Sequence, residues 1–340
     1  MNAEKFWVTG GAGFLGSRVV SRLLEDGHEV HCLVRSRLAA DALVASISSE
    51  HASRLKVVPG SLNDSDSCRA LVTKGSRGFH IASSLNGSAA ALFIANVVAT
   101  RRLLAAVRDS ECPRFVLVSS IAVYGPQNLP SGALLDESCA LDPQPQLRDP
   151  YTFSKVVQEQ VCWDARAEWN LPLVVVRPGN IYGPGREVLS ARVGIKVGPV
   201  LLRLGGRQQL PYTYVDNCAE AIARAGYTPG IEGESFNIVD DDLPTGIQLV
   251  NKHRRALGSL PTVAIPLWAL GPLARGYTAY TRYSRGQLPP ILTPHRVAAM
   301  WNAVRYTNVK AKTKLDWSCR TTLEQGMDAA FQALKQSATR

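Results

Sequence analysis

The chain has 340 residues, 46% hydrophobic and 19% charged, a balance that excludes a disordered, collagenous or small disulfide-stapled protein. A chain this long can bury a core large enough to enclose a cofactor cleft, and by size it corresponds to roughly two domains. Its 38 Lys and Arg against 28 Asp and Glu leave a net charge of +10, which favours anionic partners such as a phosphorylated cofactor, an acidic substrate or a membrane surface.

Met1 to Lys5 lead directly into a strand-like run, leaving no room for a signal peptide, so the cytoplasm is the expected address. Six strands are predicted, at 6–9, 29–34, 56–58, 78–82, 115–119 and 173–176. Helical patterns such as 14–25 and 90–108 lie between them, with apolar residues at spacings of three and four. This alternation predicts an α/β fold with a doubly wound parallel sheet. Residues 1–178 are expected to form the dinucleotide-binding domain, with parts of 212–240 returning to it. After Pro178 short elements rich in Gly and Pro, including Tyr182-Gly183-Pro184-Gly185 and Gln287-Leu288-Pro289-Pro290, predict that 179–340 forms mainly a smaller, mixed α/β substrate-binding domain.

Gly10-Gly11-Ala12-Gly13-Phe14-Leu15-Gly16 follows the first strand and opens the first helix. Glycine is needed where a chain turns tightly and where backbone approaches a pyrophosphate, and a helix N-terminus offers free N–H donors. Gly10, Gly13, Phe14, Leu15 and Gly16 are therefore candidate cofactor contacts. The second strand ends Val34-Arg35-Ser36-Arg37, without the carboxylate that usually accepts the adenosine ribose hydroxyls. Arg35 can instead pair with a 2′-phosphate, so NADP(H) is favoured over NAD(H). Ser61 and Leu62, and Ala82 and Ser83, stand where adenine and ribose contacts are expected, at the carboxyl ends of strands three and four. His80, alone on an apolar strand, is expected to be a satisfied core histidine.

Asp149-Pro150 is a helix start signal before Tyr151-Thr152-Phe153-Ser154-Lys155, and it sets Tyr151 and Lys155 on one helical face. A phenol is a poor base at neutral pH unless a cation stabilises its phenolate. An ammonium about 4 Å away contributes about 4 kcal/mol at an effective dielectric near 20, roughly three pKa units before desolvation. Ser119-Ser120 adds hydroxyls at the end of the fifth strand, on the same carboxyl edge as the glycine loop.

These residues resemble the extended short-chain dehydrogenases/reductases, the NAD-dependent epimerase/dehydratase family. The likeness includes the Thr9 to Gly16 loop, Asn96, Ser119 to Gly125, Tyr151 with Lys155, Arg177 to Gly185, Tyr214-Val215-Asp216-Asn217 and Leu315-Asp316-Trp317. It implies a Rossmann sheet and a catalytic set in which Tyr151 is the acid/base, Lys155 holds the nicotinamide ribose and Ser120 orients the substrate oxygen. It further implies that Pro178 and Ile181 border the nicotinamide, that Asn96 belongs to the cofactor-binding set and helps to position the active-site helix or relay protons, and that the protein forms a homodimer through the 90–108 and 151–168 helices.

Departures narrow the reaction. Ser120 is followed by Ile121 and Ala122, not by the Asp-Glu pair that sugar dehydratases of the family carry. The arginine that clamps the diphosphate in nucleotide-sugar epimerases is replaced by Leu210, unless Arg186 or Arg207 takes its part, and Ser61 stands where the family commonly has Asp. Val34-Arg35 and the tail Pro290 to Pro294 resemble the 3β-hydroxysteroid dehydrogenase and dihydroflavonol reductase branches. The resulting expectation is an NAD(P)-dependent dehydrogenase or reductase acting on a secondary alcohol or ketone. The alternatives are a nucleotide-sugar epimerase with tightly held NAD and a non-catalytic dinucleotide-sensing regulator.

Seven dispersed cysteines without a Cys-x-x-Cys pair and six scattered histidines predict neither disulfides nor a metal site. Basic residues are equally dispersed and no nucleic-acid-binding motif occurs, so a small-molecule substrate rather than nucleic acid is expected. Residues 273–288 interleave Arg275, Arg282 and Arg285 with Tyr277, Tyr280 and Tyr283. This run fits an ordinary amphipathic surface, a substrate lid or a patch making weak membrane-surface contact.

Overall fold

Strand and helix alternate from the outset in the computed structural model, which describes residues 3–284, 287 and 291–338. Arg285 and residues 288–290, singled out in the sequence, lie outside the described residues. The order runs β1 (Lys5–Thr9), α1 (Phe14–Glu25), β2 (Glu29–Val34), α2 (Arg37–Ser46), β3 (Leu55–Pro59), α3 (Ser65–Leu71) and β4 (Arg77–His80). Next come α4 (Ala89–Phe93) and α5 (Ala99–Val107), joined by a π turn at Ile94–Val98, then β5 (Phe115–Val118), β6 (Leu134–Leu135), α6 (Pro150–Trp169) and β7 (Leu173–Pro178). Beyond Pro178 lie β8 (Asn180–Tyr182), β9 (Gly194–Val197), β10 (Val200–Arg203), β11 (Tyr212–Tyr214), α7 (Val215–Tyr227) and β12 (Ser235–Ile238). The chain closes with α8 (Gly246–Leu257), β13 (Thr262–Ala264), α9 (Leu267–Tyr283), α10 (Pro294–Trp301), β14 (Arg305–Tyr306), α11 (Val309–Leu315) and α12 (Leu323–Ala338).

Seven strands form one parallel sheet in the order β12-β7-β5-β4-β1-β2-β3. Because helices cover both faces, its central strands are apolar throughout, and every residue of β5 and β7 is buried. Alternate side chains serve opposite layers. Phe6 and Val8 pack with Val19, Val20 and Leu23 of α1 and Ile222 of α7, whereas Trp7 packs with Leu103 and Val107 of α5 and Cys162 of α6. The strand order reverses between β1 and β4, which opens a crevice at their carboxyl ends.

The structure adjusts several predicted elements. The strands expected to reach residues 82 and 119 end at His80 and Val118, with single ladder bonds from Ile81 N to Thr9 O and from Ser119 N to Val176 O persisting beyond them. The helix expected at 90–108 is a rod, Ala89–Val107, interrupted by the π turn and packed on α3 and α6. A seventh strand, β12, was not predicted. Its Asn237 breaks the apolar pattern, yet this side chain is fully buried because Tyr124 Oη donates to its Oδ1 at 2.8 Å.

A buried ion pair ties α6 to the sheet. Arg177 of β7 donates from Nε to both Glu159 carboxylate oxygens at 3.2 Å and from Nη2 to Oε1. Ser119 Oγ donates to Glu159 Oε2 at 2.6 Å, and Arg177 Nη1 donates to Tyr124 Oη at 2.7 Å. Burial alone would lower the Arg177 pKa, but the Glu159 charge and the hydrogen bonds to Glu159 and Tyr124 raise it. Replacing Arg177 by Met strands a buried carboxylate, so the variant is expected to lose about 3–5 kcal/mol in a denaturant titration. A loss below about 1 kcal/mol would mean that the pair does not hold α6.

Candidate active site

The carboxyl edge gathers the predicted residues from several segments of chain. After β1 the backbone turns through Gly10, whose φ of +76° favours glycine and whose added Cβ would stand 2.7 Å from the Ala82 backbone. At Gly16 a Cβ would meet Gly10 O at 2.0 Å, so glycine is required for α1 to start against the turn. Gly13 precedes the helix and supplies no side-chain cap, leaving the first N–H groups of α1 at Phe14 and Leu15 open to an anion. This backbone cradle, which a Cβ would fill, suits a dinucleotide pyrophosphate.

Around the loop, Arg35 is exposed just beyond β2, and Ser36 caps α2 by accepting from Ala39 N. Ser61 and Leu62 follow β3, half-buried, with Ser61 Oγ accepting from Asn63 N at 3.2 Å. Ala82 lies against Gly10, and the exposed Ser83 donates from Oγ to Asn96 Oδ1 at 3.3 Å. Pro178 ends β7 in a buried position, and Ile181 lies half-buried in β8.

Asn96, expected in the cofactor-binding set and as a residue that positions the active-site helix or relays protons, is fully buried in the π turn. Its Oδ1 accepts from Ser84 N at 2.8 Å, and its Nδ2 donates to Ser84 O at 3.1 Å and to Ser154 Oγ at 2.9 Å. It therefore acts by fastening the loop after β4 to α6, because its polar atoms are spent on protein groups.

Asp149 caps α6 by accepting from Thr152 N at 2.9 Å, which fixes Tyr151 in the first turn with Lys155 one turn behind it. Ser120 follows β5 and stands close enough to the Tyr151 phenol to lower its pKa, while its Oγ accepts from Ala122 N at 3.2 Å. Burial pushes the phenol up to about 12 against the lowering effect of nearby Ser120; the Asp149 charge raises it further, and Arg186 lowers it.

The depression of Tyr151 expected from Lys155 is absent. The Lys155 ammonium turns toward the protein, donating to Val118 O at 2.8 Å and to Gln158 Oε1 at 2.5 Å, so desolvation governs the phenol. Desolvation also lowers Lys155 to about 8, with the Glu159 charge opposing.

Behind Lys155 runs a polar chain that the sequence did not reveal. Gln158 Nε2 donates to Thr100 Oγ1 at 2.9 Å, and Thr100 Oγ1 donates to Asn96 O at 2.5 Å. His80 lies 2.7 Å from Thr100 through Nε2 and 2.7 Å from Thr9 through Nδ1. Because Thr100 Oγ1 gives its proton to Asn96 O, these two contacts suit His80 Nε2–H donating to Thr100 and Nδ1 accepting from Thr9, whereas Gln158 Nε2, 3.2 Å from His80 Nε2, would favour an unprotonated Nε2. Burial lowers His80 to about 3, so the ring stays neutral, as expected of a satisfied core histidine. The signal available in the sequence was Gln158 three residues after Lys155, on the buried face of α6.

The fold and this edge define a nucleotide-binding α/β enzyme. The profile of the NAD dependent epimerase/dehydratase family matches residues 6–238, and the chain belongs to that family. It is 27% identical to a 3-beta-hydroxysteroid dehydrogenase of Mycolicibacterium neoaurum over 94% of this chain and 88% of the relative. A Synechocystis sp. protein provisionally described as a dihydroflavonol 4-reductase is 34% identical over 78% of this chain and 76% of its own. Among solved structures, gox2253 superposes with a TM-score of 0.79 at 23% identity, covering 99% of both chains. UDP-glucuronic acid 4-epimerase from Bacillus cereus, in complex with NAD, superposes at 0.71 and 20% identity, covering 98% of this chain and 99% of that one. The chain is thus an enzyme of a family that binds nicotinamide dinucleotide.

Gln158→Met removes an acceptor from the buried Lys155 ammonium and a donor from Thr100. A loss of about 1–3 kcal/mol is expected in chemical denaturation. Unchanged stability would show that the chain behind Lys155 carries no weight.

Proposed function

We propose that the protein catalyses reversible hydride transfer at a secondary alcohol or ketone of an apolar or mixed substrate, with Tyr151 as the acid/base. The observation that carries this reading is that Ser120 stands beside the Tyr151 phenol, close enough to lower its pKa, at the carboxyl edge that also holds the glycine cradle. The α1 N-terminus would hold the pyrophosphate, with Ser61, Leu62, Ala82 and Ser83 toward the adenosine half and Lys155, Pro178 and Ile181 toward the nicotinamide half. When bound, the dinucleotide supplies hydride to the carbonyl carbon or takes it from the carbinol carbon.

Ser120 orients the substrate oxygen and Tyr151 exchanges a proton with it. A phenol held at about 12 is protonated at neutral pH and so is set to donate to a ketone oxygen. To stabilise the phenolate left behind, the Lys155 ammonium, on the same helical face, must turn from Val118 O and Gln158 Oε1, which it faces in this structure. Because Lys155 is lowered to about 8, that cation is present below pH 8 and lost above it. Ketone reduction is therefore expected to decline above about pH 8. Tyr151→Phe is expected to lower kcat by about 10²–10⁴-fold, and Lys155→Met to remove the alkaline limb. Steady-state rates on a ketone panel check both expectations. Full activity of the Tyr151→Phe variant would overturn the assignment, and turnover without net change in added NAD(P)H would favour epimerisation.

Arg35 supports a preference for NADPH, since it is an exposed cation where NAD enzymes place a carboxylate. Arg35→Asp is expected to reduce the ratio of NADPH to NADH affinity at least about tenfold, the scale of a lost charge-assisted hydrogen bond. An unchanged ratio in fluorescence titrations would exclude that role.

A further inference from the structure

Helix α9 turns two unlike faces outward and inward. Leu270, Ala274 and Thr281 are buried, and Leu270 packs with Leu204 and Trp301 in a small core shared with α10. The opposite face carries Trp268, Pro272, Gly276, Ala279 and Tyr283, at spacings of three and four that line one side of a helix. Trp268 is 80% exposed and Tyr283 84%, with Tyr280 at 59% and Leu273 at 50% beside them. Large aromatics this open, side by side on one helix, are unusual on a solvated surface.

Charge decides what the face suits. From Leu243 to Leu315 the chain carries eleven Lys or Arg and no Asp or Glu, although 28 carboxylates are distributed over the whole sequence. Lys252, Lys310, Lys312 and Lys314 pair with Asp328, Glu234 and Asp241, which lie outside that segment. Arg275 and Arg282 form no ion pair among the described residues. Seven residues apart, they flank the aromatic band along one margin.

We propose that the outer face of α9 docks on an anionic lipid surface. Trp268, Tyr280 and Tyr283 enter the headgroup region, where amphipathic rings partition, while Arg275 and Arg282 meet lipid phosphates. The geometry is that of a helix lying in the plane of the interface, and the charge fits the negatively charged leaflet of a cytoplasmic membrane. A lid over the cleft would instead turn its apolar face inward.

The test is co-sedimentation of the full chain with phosphatidylcholine vesicles and with vesicles containing 30% phosphatidylglycerol, at low and high salt. Binding is expected to the anionic vesicles alone and to weaken at least about tenfold at high salt. The pairs Trp268→Ser with Tyr283→Ser, and Arg275→Gln with Arg282→Gln, should each reduce it by a similar factor without altering circular dichroism or melting temperature. Absence of binding, or binding that both pairs leave unchanged, overturns the proposal. So does sedimentation velocity showing self-association that the aromatic pair abolishes, since the face would then be a contact between copies of this chain.

Discussion

The arrangement of the active edge depends on how α6 tolerates burial of its charged inner face. Lys155, Gln158 and Glu159 lie on that face and are almost completely inaccessible, at the centre of a sheet whose neighbouring strands are apolar. A buried charge is tolerated only when it is paired and fully hydrogen-bonded. Arg177 and Ser119 satisfy Glu159, and Val118 with Gln158 satisfies Lys155. All of these partners outside the helix come from β5, β7 or the residue just after β5. The pairing therefore fixes the depth and rotation of α6 relative to β5, and with them where Tyr151 meets Ser120.

A second set of bonds extends the same constraint to the cofactor loop. Gln158 is joined through Thr100 to His80, and His80 to Thr9, the residue before Gly10. Asn96 fastens the loop after β4 to α6 from the other side. The π turn that carries Asn96 places an extra residue in the rod between α4 and α5, a distortion often found beside functional sites. Helix α6 and the glycine turn are thus held by one polar layer beneath the crevice rather than by separate loops. Such a layer is specific because each of its members has few ways to be satisfied.

Much of this was legible in the sequence, for identifiable reasons. β1, α1 and β2 match the predicted residues almost to the boundary, because a covered parallel strand is continuously apolar and the glycine turn marks where the helix begins. Asp149-Pro150 marked the start of α6 for the same local reason. What escaped depends on contacts between distant segments. β12 was missed because Asn237 looks polar until Tyr124, 113 residues away, is brought against it. The π turn leaves no mark in the apolar spacing of 90–108, and only resemblance connected Asn96 with the cofactor-binding set, the active-site helix or a proton relay. Its partners, Ser84 and Ser154, come together only in the fold.

The field at Tyr151 shows where reasoning from spacing stops. An i,i+4 pair fixes the side of the helix but not the direction in which a long, flexible ammonium points. Spacing alone predicted that Lys155 would depress the phenol; in the fold its ammonium is directed to Val118 and Gln158, and burial raises the phenol instead. The consequence is chemical. A phenol raised to about 12 keeps its proton at neutral pH, while the lysine one turn behind it is lowered to about 8. The protonation of two side chains four residues apart, which no motif encodes, thus follows from how each is solvated.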